Sequence, residues 1–355
     1  MKWAVPNRND LTQMTLRFAA IGLDHRHIHH LVGGLIDAGA ACVGYDPATS
    51  DPRVLAGFRE RFPALPEVTD RRRLLEDPSI DAICIAAIPS ERAEIAVAAM
   101  RHGKDVMVDK PGVTALAQLA EIERVVRETG RIFSICFSER FVVPATEVAG
   151  DLIAAGAIGR VVQTLGLGPH RLNRAIRPDW FFDPACYGGI LADIASHQID
   201  QFLHFTGSTD AHIVSSAIGN FGNPETPAFE DFGEILLRSA TATGYIRVDW
   251  FTADGLPTWG DGRLVILGTE GTIELRKYVD LDGRPGTDHV FLVNRDGTRH
   301  IDGSTAPLRY FTNFVADVRE RTESAMSQRH VFTVSRLALE AQAAAQRLTL
   351  NPHDR

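Results

Sequence analysis

The sequence predicts an α/β chain. A parallel sheet covered on both faces comes first, and an α+β part with a large, mainly antiparallel open sheet follows. Three observations carry this. At 355 residues the chain is too long for one ordinary core. Up to about residue 140, short apolar runs alternate with helical patterns, the texture of crossover units between parallel strands. Beyond it, strand-like runs follow one another in series. The expected division is 14–140 and 141–355.

LRFAAIGL (16–23) reads as the first buried strand, and the helical stretch after it runs to about Ala38, where Gly39 stops it. ACVGYD (41–46) and AICIAAI (82–88) are the second and third strands. A helix up to Gly103 leads to DVMVDKP (105–111), a helix from about Thr114 to Glu128, and RIFSICF (131–137). The second part opens with a helix near 144–155 and the strand RVVQTLGL (160–167). A loop and a long helix near 188–205 precede the runs AHIVSSAIG, DFGEILLR, TGYIRVDWF, RLVILGT and GTIELRK. Gly268 and Gly271 bracket a tight connection between the last two. Helical segments near 308–321 and 331–347 close the chain.

Hydrophobic residues make up 45% and charged residues 23%, a globular composition. The net charge is −8 with no long basic run, which argues against nucleic acid or an anionic membrane as partner. No apolar stretch approaches the roughly 20 residues that span a bilayer. The opening MKWAVPNRNDLTQ lacks the apolar core of a signal peptide. Four scattered cysteines, three of them (Cys42, Cys84, Cys136) in apolar runs, fit a reducing compartment. A cytoplasmic location is the expectation.

Residues 16–46 have the layout of a Rossmann-type dinucleotide site: strand, tight turn, helix, strand. Gly22 stands where the first fingerprint glycine belongs, and Asp46 ends the second strand where a carboxylate takes the ribose 2′-hydroxyl. The turn itself reads GLDHRH, so Asp24 and His27 replace the later glycines. Asp24 caps the helix or repels a pyrophosphate; His25, Arg26 and His27 offset its charge. Two readings stay open here, a dinucleotide site and a merely well-capped turn. On the first, Gly22, Leu23, Asp24, His25, Arg26, His27, Asp46, Ile88 and Pro89 face the cofactor. NAD is expected over NADP, because Asp46 repels a 2′-phosphate. HRHIHH (25–30) also sets His25 and His29 one helical turn apart, but no carboxylate or cysteine in the segment completes a ligand set, so no metal is expected.

Read as one helix from about Gly189, GGILADIASHQIDQFLHF puts Asp193, His197, Asp200 and His204 in one narrow stripe on an otherwise apolar helix. Such a stripe faces a cavity or water. Oxidation of a carbinol needs a base near the working pH, which His197 supplies, with Asp193 to orient it. Lys110, at the exit of a parallel strand, is the candidate cation for the reacting oxygen; its alternative is a surface lysine. In HRLNRAIRPDW (170–180), one of Arg171, Arg174 and Arg177 grips an anion on the substrate, or all three are solvated charges. Trp180 stacks on a sugar ring or packs at the loop base.

VDKP (108–111), GGILADIASHQID (188–200), AMRHGKDVMVDKP and GTEGTIEL together resemble the glucose–fructose oxidoreductase / inositol dehydrogenase / rhizopine-catabolism family (Gfo/Idh/MocA) over nearly the whole chain. Asp109 stands in place of that family's motif glutamate, Ile190 and Ala195 in place of motif glycines, and Arg92 where many members have histidine. The resemblance implies an NAD(P)-dependent oxidoreductase of sugars, polyols or related acids. It makes Lys110, Asp193 and His197 the catalytic set, with either Lys110 or His197 as base, and gives all three to the substrate and Lys110 also to the nicotinamide ribose. The loop residues Arg171 and Trp180 are expected beside them at the substrate. It also implies a homodimer or homotetramer built through the C-terminal sheet. Two further classes share the fold: enzymes that use tightly bound NAD for transient oxidation in elimination or glycoside cleavage, and non-enzymatic ligand-sensing regulators.

Overall fold

The structure is a computed structural model and describes residues 15–349. The opening segment read above for a leader lies outside the described residues. The first half runs β1 (Arg17–Leu23), α1 (Ile28–Asp37), β2 (Ala41–Tyr45), α2 (Pro52–Arg61), α3 (Arg71–Glu76), β3 (Ala82–Ala86), α4 (Arg92–Arg101), β4 (Asp105–Asp109), α5 (Leu116–Thr129) and β5 (Phe133–Cys136). All pairs in its five-stranded sheet are parallel, in the order β2-β1-β3-β4-β5. Strands β3, β4 and β5 are buried at every residue, as the apolar runs require of a sheet with helices on both faces. The chain leaves β1 toward β2 and returns on the other side as β3. The crevice above these diverging strands is where open α/β sheets bind ligands.

The second half runs α6 (Ser138–Phe141), α7 (Pro144–Ala154), β6 (Val161–Pro169), α8 (Pro184–Tyr187), α9 (Ser196–Thr206), β7 (His212–Gly219), β8 (Phe232–Arg238), β9 (Thr243–Asp249), β10 (Arg263–Gly268), β11 (Gly271–Arg276), β12 (His289–Asn294), β13 (Gly297–Asp302), α10 (Tyr310–Glu320), α11 (Gln328–Ala344) and β14 (Gln346–Leu348). The strands form one sheet, β13-β12-β11-β10-β6-β9-β8-β7-β14, antiparallel except at β6–β9 and β7–β14. Helices α7, α9 and α11 pack on one face of it. Inward residues such as Ile235, Leu237, Ile246, Val248, Ile266 and Leu292 alternate with outward ones, the period-two pattern of a sheet with one packed face. Helix α11 also packs on α5 and β5, and α10 on α1, so the C-terminal helices return to the parallel sheet and fix its position against the larger one.

The long helix expected from Gly189 has a different start. Gly188 and Gly189 both take left-handed φ values, +89° and +88°, and a Cβ on Gly189 would meet the Gln342 side chain at 2.2 Å. Leu191–Ala195 is then a π-turn, and the α-helix begins only at Ser196. The i→i+5 bonds of the π-turn add a residue to that turn and break the four-residue stripe at its first member. Asp193 meets Lys110 at the crevice. Asp200 is wholly buried and pairs with Arg140 and His330 in the interior.

Candidate active site

Strand β4 ends in Asp109, Lys110 and a cis bond to Pro111. The Asp109 carboxylate is wholly buried, so its lone pairs must be met by donors. Three meet them: His25 Nδ1 at 3.0 Å, His27 Nδ1 at 2.9 Å and Arg92 Nη2 at 3.1 Å. Arg92, itself only 1% exposed, also donates to the carbonyls of Ala87, Asp109, Lys110 and Pro111. One guanidinium thus ties the exits of β3 and β4 together. Burial alone would raise the Asp109 carboxyl; His27, Arg92 and His25 outweigh it and hold the group well below the usual carboxylate range. Burial lowers His25 to about 4 and His27 to about 3, against the pull of Asp109. Both imidazoles are therefore neutral near pH 7. An ionised carboxylate only accepts, so each Nδ1 carries the proton and each Nε2 keeps a lone pair.

Lys110 Nζ donates to Asp193 Oδ1 at 2.9 Å, joining the parallel sheet to the π-turn. These two residues, with His25, Arg26, His27, Pro89 and Arg92, form one wall of a cavity of about 30 Å³. The opposite wall is His170, Arg177, Trp180, Phe181, Tyr187, Trp250 and Trp259. His170 leaves the end of β6 with Nδ1 bonded to the Gly168 carbonyl at 3.0 Å, its ring edge-on to Trp250 and Trp259. Burial, then Lys110 and Lys277, keep it neutral. An adjoining groove of about 240 Å³ lies between the 24–29 turn and residues 173–181. Both spaces fall short of the roughly 300–1,000 Å³ of ligand pockets. The 170–182 arm closes over the crevice, and Arg53 Nη2 donates to the Ile176 carbonyl at 2.5 Å.

The turn expected to face a cofactor has mixed features. Gly22 (φ +75°) is required by close approach, because a Cβ there would lie 2.5 Å from Ala87 Cβ. Leu23 gives its carbonyl to Thr49 Oγ1. Asp24 lines the adjoining groove and accepts from Ser50 N and Oγ at 2.5 and 2.7 Å, so its charge is met by the neighbouring loop. Arg26 remains on the crevice side. Asp46 caps Ala48 N and pairs with Arg71 at 2.8 Å. Ile88 precedes the short 3₁₀ turn that begins at Pro89. The small backbone approach at Gly22 and the cationic side chain after the turn fit a pyrophosphate. The space along the crevice admits a dinucleotide only once the arm has moved.

The structure therefore brings together Lys110, Asp193, His25, Arg26, His27, Pro89 and Trp180; Gly22, Leu23, Asp24, Asp46, Ile88, Arg171 and His197 lie outside this cavity's lining, Asp24 lining the adjoining groove instead. Asp46 ends beyond it. Arg171 instead holds the carbonyls of Ala253 and Leu256. His197 is 1% exposed, with its Nδ1 unpartnered among the described residues and its ring edge-on to Phe137. Sequence reasoning did not find His170, Tyr187, Trp250 or Trp259 at the site. Nor did it see that Asp109 supplies the carboxylate missing from HRHIHH, completing a group of His25, His27 and Asp109 with donor atoms within 4.8 Å of one another. Spacing gives no signal for that contact, since 82 residues separate His27 from Asp109.

Fold and site define an oxidoreductase with a dinucleotide-type parallel sheet. Residues 48–137 match the oxidoreductase family with an NAD-binding Rossmann fold, and residues 147–274 match the GFO/IDH/MocA C-terminal domain. The chain belongs to the GFO/IDH/MocA oxidoreductase family. It is 28% identical over 270 residues to scyllo-inositol 2-dehydrogenase (NAD(+)) of Bacillus subtilis (strain 168), covering 73% of each chain. It is 29% identical over 167 residues to levoglucosan dehydrogenase of Pseudarthrobacter phenanthrenivorans, 46% of this chain and 43% of that enzyme. A crystal structure from Erwinia carotovora atroseptica SCRI1043 is 48% identical and covers 94% of this chain and 100% of its own, with a TM-score of 0.91. Levoglucosan dehydrogenase in complex with NADH and levoglucosan shares the fold at 21% identity, with a TM-score of 0.76 over 93% of this chain and 98% of its own.

Proposed function

We propose that this chain transfers a hydride between a nicotinamide and a carbinol carbon of a small polyhydroxylated molecule, a sugar, polyol or sugar-derived acid. The observation that carries the reading is the Lys110–Asp193 pair, set in the cavity at the C-terminal edge of the parallel sheet. The relatives named for inositol and levoglucosan oxidation support the substrate class. In this reading residues 14–140 hold the dinucleotide and residues 141–355 hold the substrate. Lys110, Pro89 and the 22–27 turn lie along the bound dinucleotide. NAD is taken over NADP, because Asp46 lies at the end of β2.

When bound, the nicotinamide supplies the hydride chemistry. The chain supplies the rest. Lys110 Nζ donates to the reacting oxygen and stabilises its developing charge. As the carbon loses its hydride, the hydroxyl proton becomes acidic enough for the Asp193 carboxylate to accept it. The neutral imidazoles of His25, His27 and His170 offer lone pairs to further hydroxyls, and Trp180, Trp250 and Trp259 offer apolar faces to a ring. His197 is buried behind this lining, its ring edge-on to Phe137.

The protein acts in the cytoplasm as a homodimer or homotetramer through the uncovered face of the nine-stranded sheet, where Leu267 and Val293 are exposed. No helix among the described residues is long and apolar enough to cross a membrane. A second reading, a ligand-sensing regulator, draws on the closed crevice and the Arg71-bound Asp46. A nicotinamide absorbance screen over polyols, aldoses, uronates and lactones, with NAD and NADP in parallel, tests both. Reduction with one substrate class supports the oxidoreductase; binding without turnover supports the regulator.

A further inference from the structure

The cations around the crevice are matched by anions with two exceptions. Arg92 has Asp109, Lys110 has Asp193, Lys277 has Glu139, Arg53 has Asp51, and Arg174 has Glu225. Arg26 and Arg177 have no carboxylate within 4.0 Å among the described residues, yet both line the 30 Å³ cavity and the adjoining groove. Arg177 is held from below. Its Nε donates to the Leu172 carbonyl at 2.8 Å and its Nη2 to the Arg171 carbonyl at 3.4 Å. Its guanidinium lies 4.3 Å from the Phe181 ring centre and 5.2 Å from that of Trp250. Such stacking fixes the planar fork in direction while leaving Nη1 without an acceptor among the described residues. Arg26 comes from the opposite wall, its guanidinium 5.6 Å from the Trp259 ring centre.

Two like charges facing one small space repel each other, and holding the partly buried Arg177 there without a counter-ion adds to the cost. The cost shows in Arg177, which burial and then Arg26 lower to about 10, with only Asp193 opposing. Trp180 adds a buried Nε1 donor without an acceptor on the same wall. Arg26, Arg177 and Trp180 thus bring to this space donors that no carboxylate among the described residues meets, in a chain whose net charge is −8. What answers both charge and donors is an oxyanion entering with the ligand.

We propose that Arg26 and Arg177 form a two-walled oxyanion subsite, and that the substrate is an acidic one, carrying a carboxylate or phosphate beside its reacting carbinol. This rests on the oxidoreductase reading for the carbinol but not for the anion. A cofactor pyrophosphate offers the same chemistry, and its location by the β1–α1 turn makes it the rival source for Arg26. Arg177, on the arm with Trp180 and Phe181, favours the substrate as source.

The test is calorimetric titration of the full chain with inorganic phosphate, D-glucuronate and D-glucose, each with and without saturating NAD. The expected result is that phosphate and D-glucuronate bind at least about tenfold more tightly than D-glucose, the scale of one charge-assisted hydrogen bond. That advantage persists with NAD present and falls below about threefold in Arg177→Met and in Arg26→Gln. Arg26 is exposed, so its variant serves should the arm of Arg177→Met fail to fold, as checked by circular dichroism. Displacement of phosphate by NAD overturns the proposal in favour of the cofactor. Equal affinity for D-glucose and D-glucuronate, no binding of any probe, or variants that keep the advantage also overturn it. Should the anion advantage hold while no compound reduces NAD, the subsite stands and the oxidoreductase reading falls.

Discussion

Lys110 and Asp193, 83 positions apart, meet at 2.9 Å with both residues buried, and they join the last turn of the parallel sheet to the π-turn of the substrate side. The pair is therefore structural as well as chemical. Lys110→Met leaves the Asp193 carboxylate buried without its cation, and removing one partner of such a pair costs about 3–5 kcal/mol. A lower melting temperature is expected for Lys110→Met, with most of the loss recovered in Lys110→Met/Asp193→Leu, where no lone charge remains. A single variant that melts like the wild type would show that the pair is not formed.

The imidazoles around Asp109 set an acid limit. His25 falls from 6.5 to about 4 on folding, and His27 to about 3, both through burial. Between the unfolded value and these, the unfolded chain binds more protons than the folded one, so stability rises with pH. Stability is thus full above pH 6.5 and is lost progressively as pH falls toward 4, before the carboxylates titrate. Melting temperatures measured across this range should fall steadily, and less steeply in His25→Gln. A flat profile from pH 7 to 5 would contradict the neutral, buried imidazoles.

Much of this was legible in the sequence, for a physical reason. Strands β1, β3, β4 and β5 are apolar on both faces, and such runs announce themselves. The β12–β13 hairpin was not foreseen: β13, GTRHID, is almost wholly exposed and carries no alternation. Helix α2 is polar over most of its length, with only Val54 and Phe58 buried, and gave no clear stripe. The site was half legible. Lys110 and Asp193 stood in recognisable motifs, whereas His170 and Trp259 reach the cavity only through the pairing of distant loops at His170–Gly260. The π-turn ahead of His197 is silent in sequence.

Asp46 is expected to set cofactor choice together with Arg71. The carboxylate holds Arg71 Nε at 2.8 Å, and on the proposed reading it would accept a ribose hydroxyl and repel a 2′-phosphate. Asp46→Ala frees Arg71 to meet that phosphate. Titration with both dinucleotides should show NAD preferred by the wild type and the NADP/NAD affinity ratio raised at least about tenfold in the variant. An unchanged ratio would remove Asp46 from the cofactor site.

Activity is expected to be independent of metal despite the His25–His27–Asp109 group. Both Nδ1 protons are already donated to Asp109, and Arg92 occupies the same carboxylate. A divalent ion would have to displace those protons and sit beside Arg92 and Lys110. Exhaustive chelation should leave turnover intact and elemental analysis should find no stoichiometric metal. Activity lost on chelation and restored by zinc or manganese would make this group a metal centre.

The most direct measurement is nicotinamide reduction by wild type and Asp193→Asn, a variant that keeps the shape of the side chain and removes its charge. The screen above supplies the substrate, and circular dichroism confirms that both proteins are folded. With Asp193 taking the hydroxyl proton beside Lys110, kcat should fall by about 10²–10⁴ while the affinity for NAD changes little. A folded Asp193→Asn that turns over within about tenfold of the wild type, or a wild type that reduces NAD with no carbinol, would contradict the account.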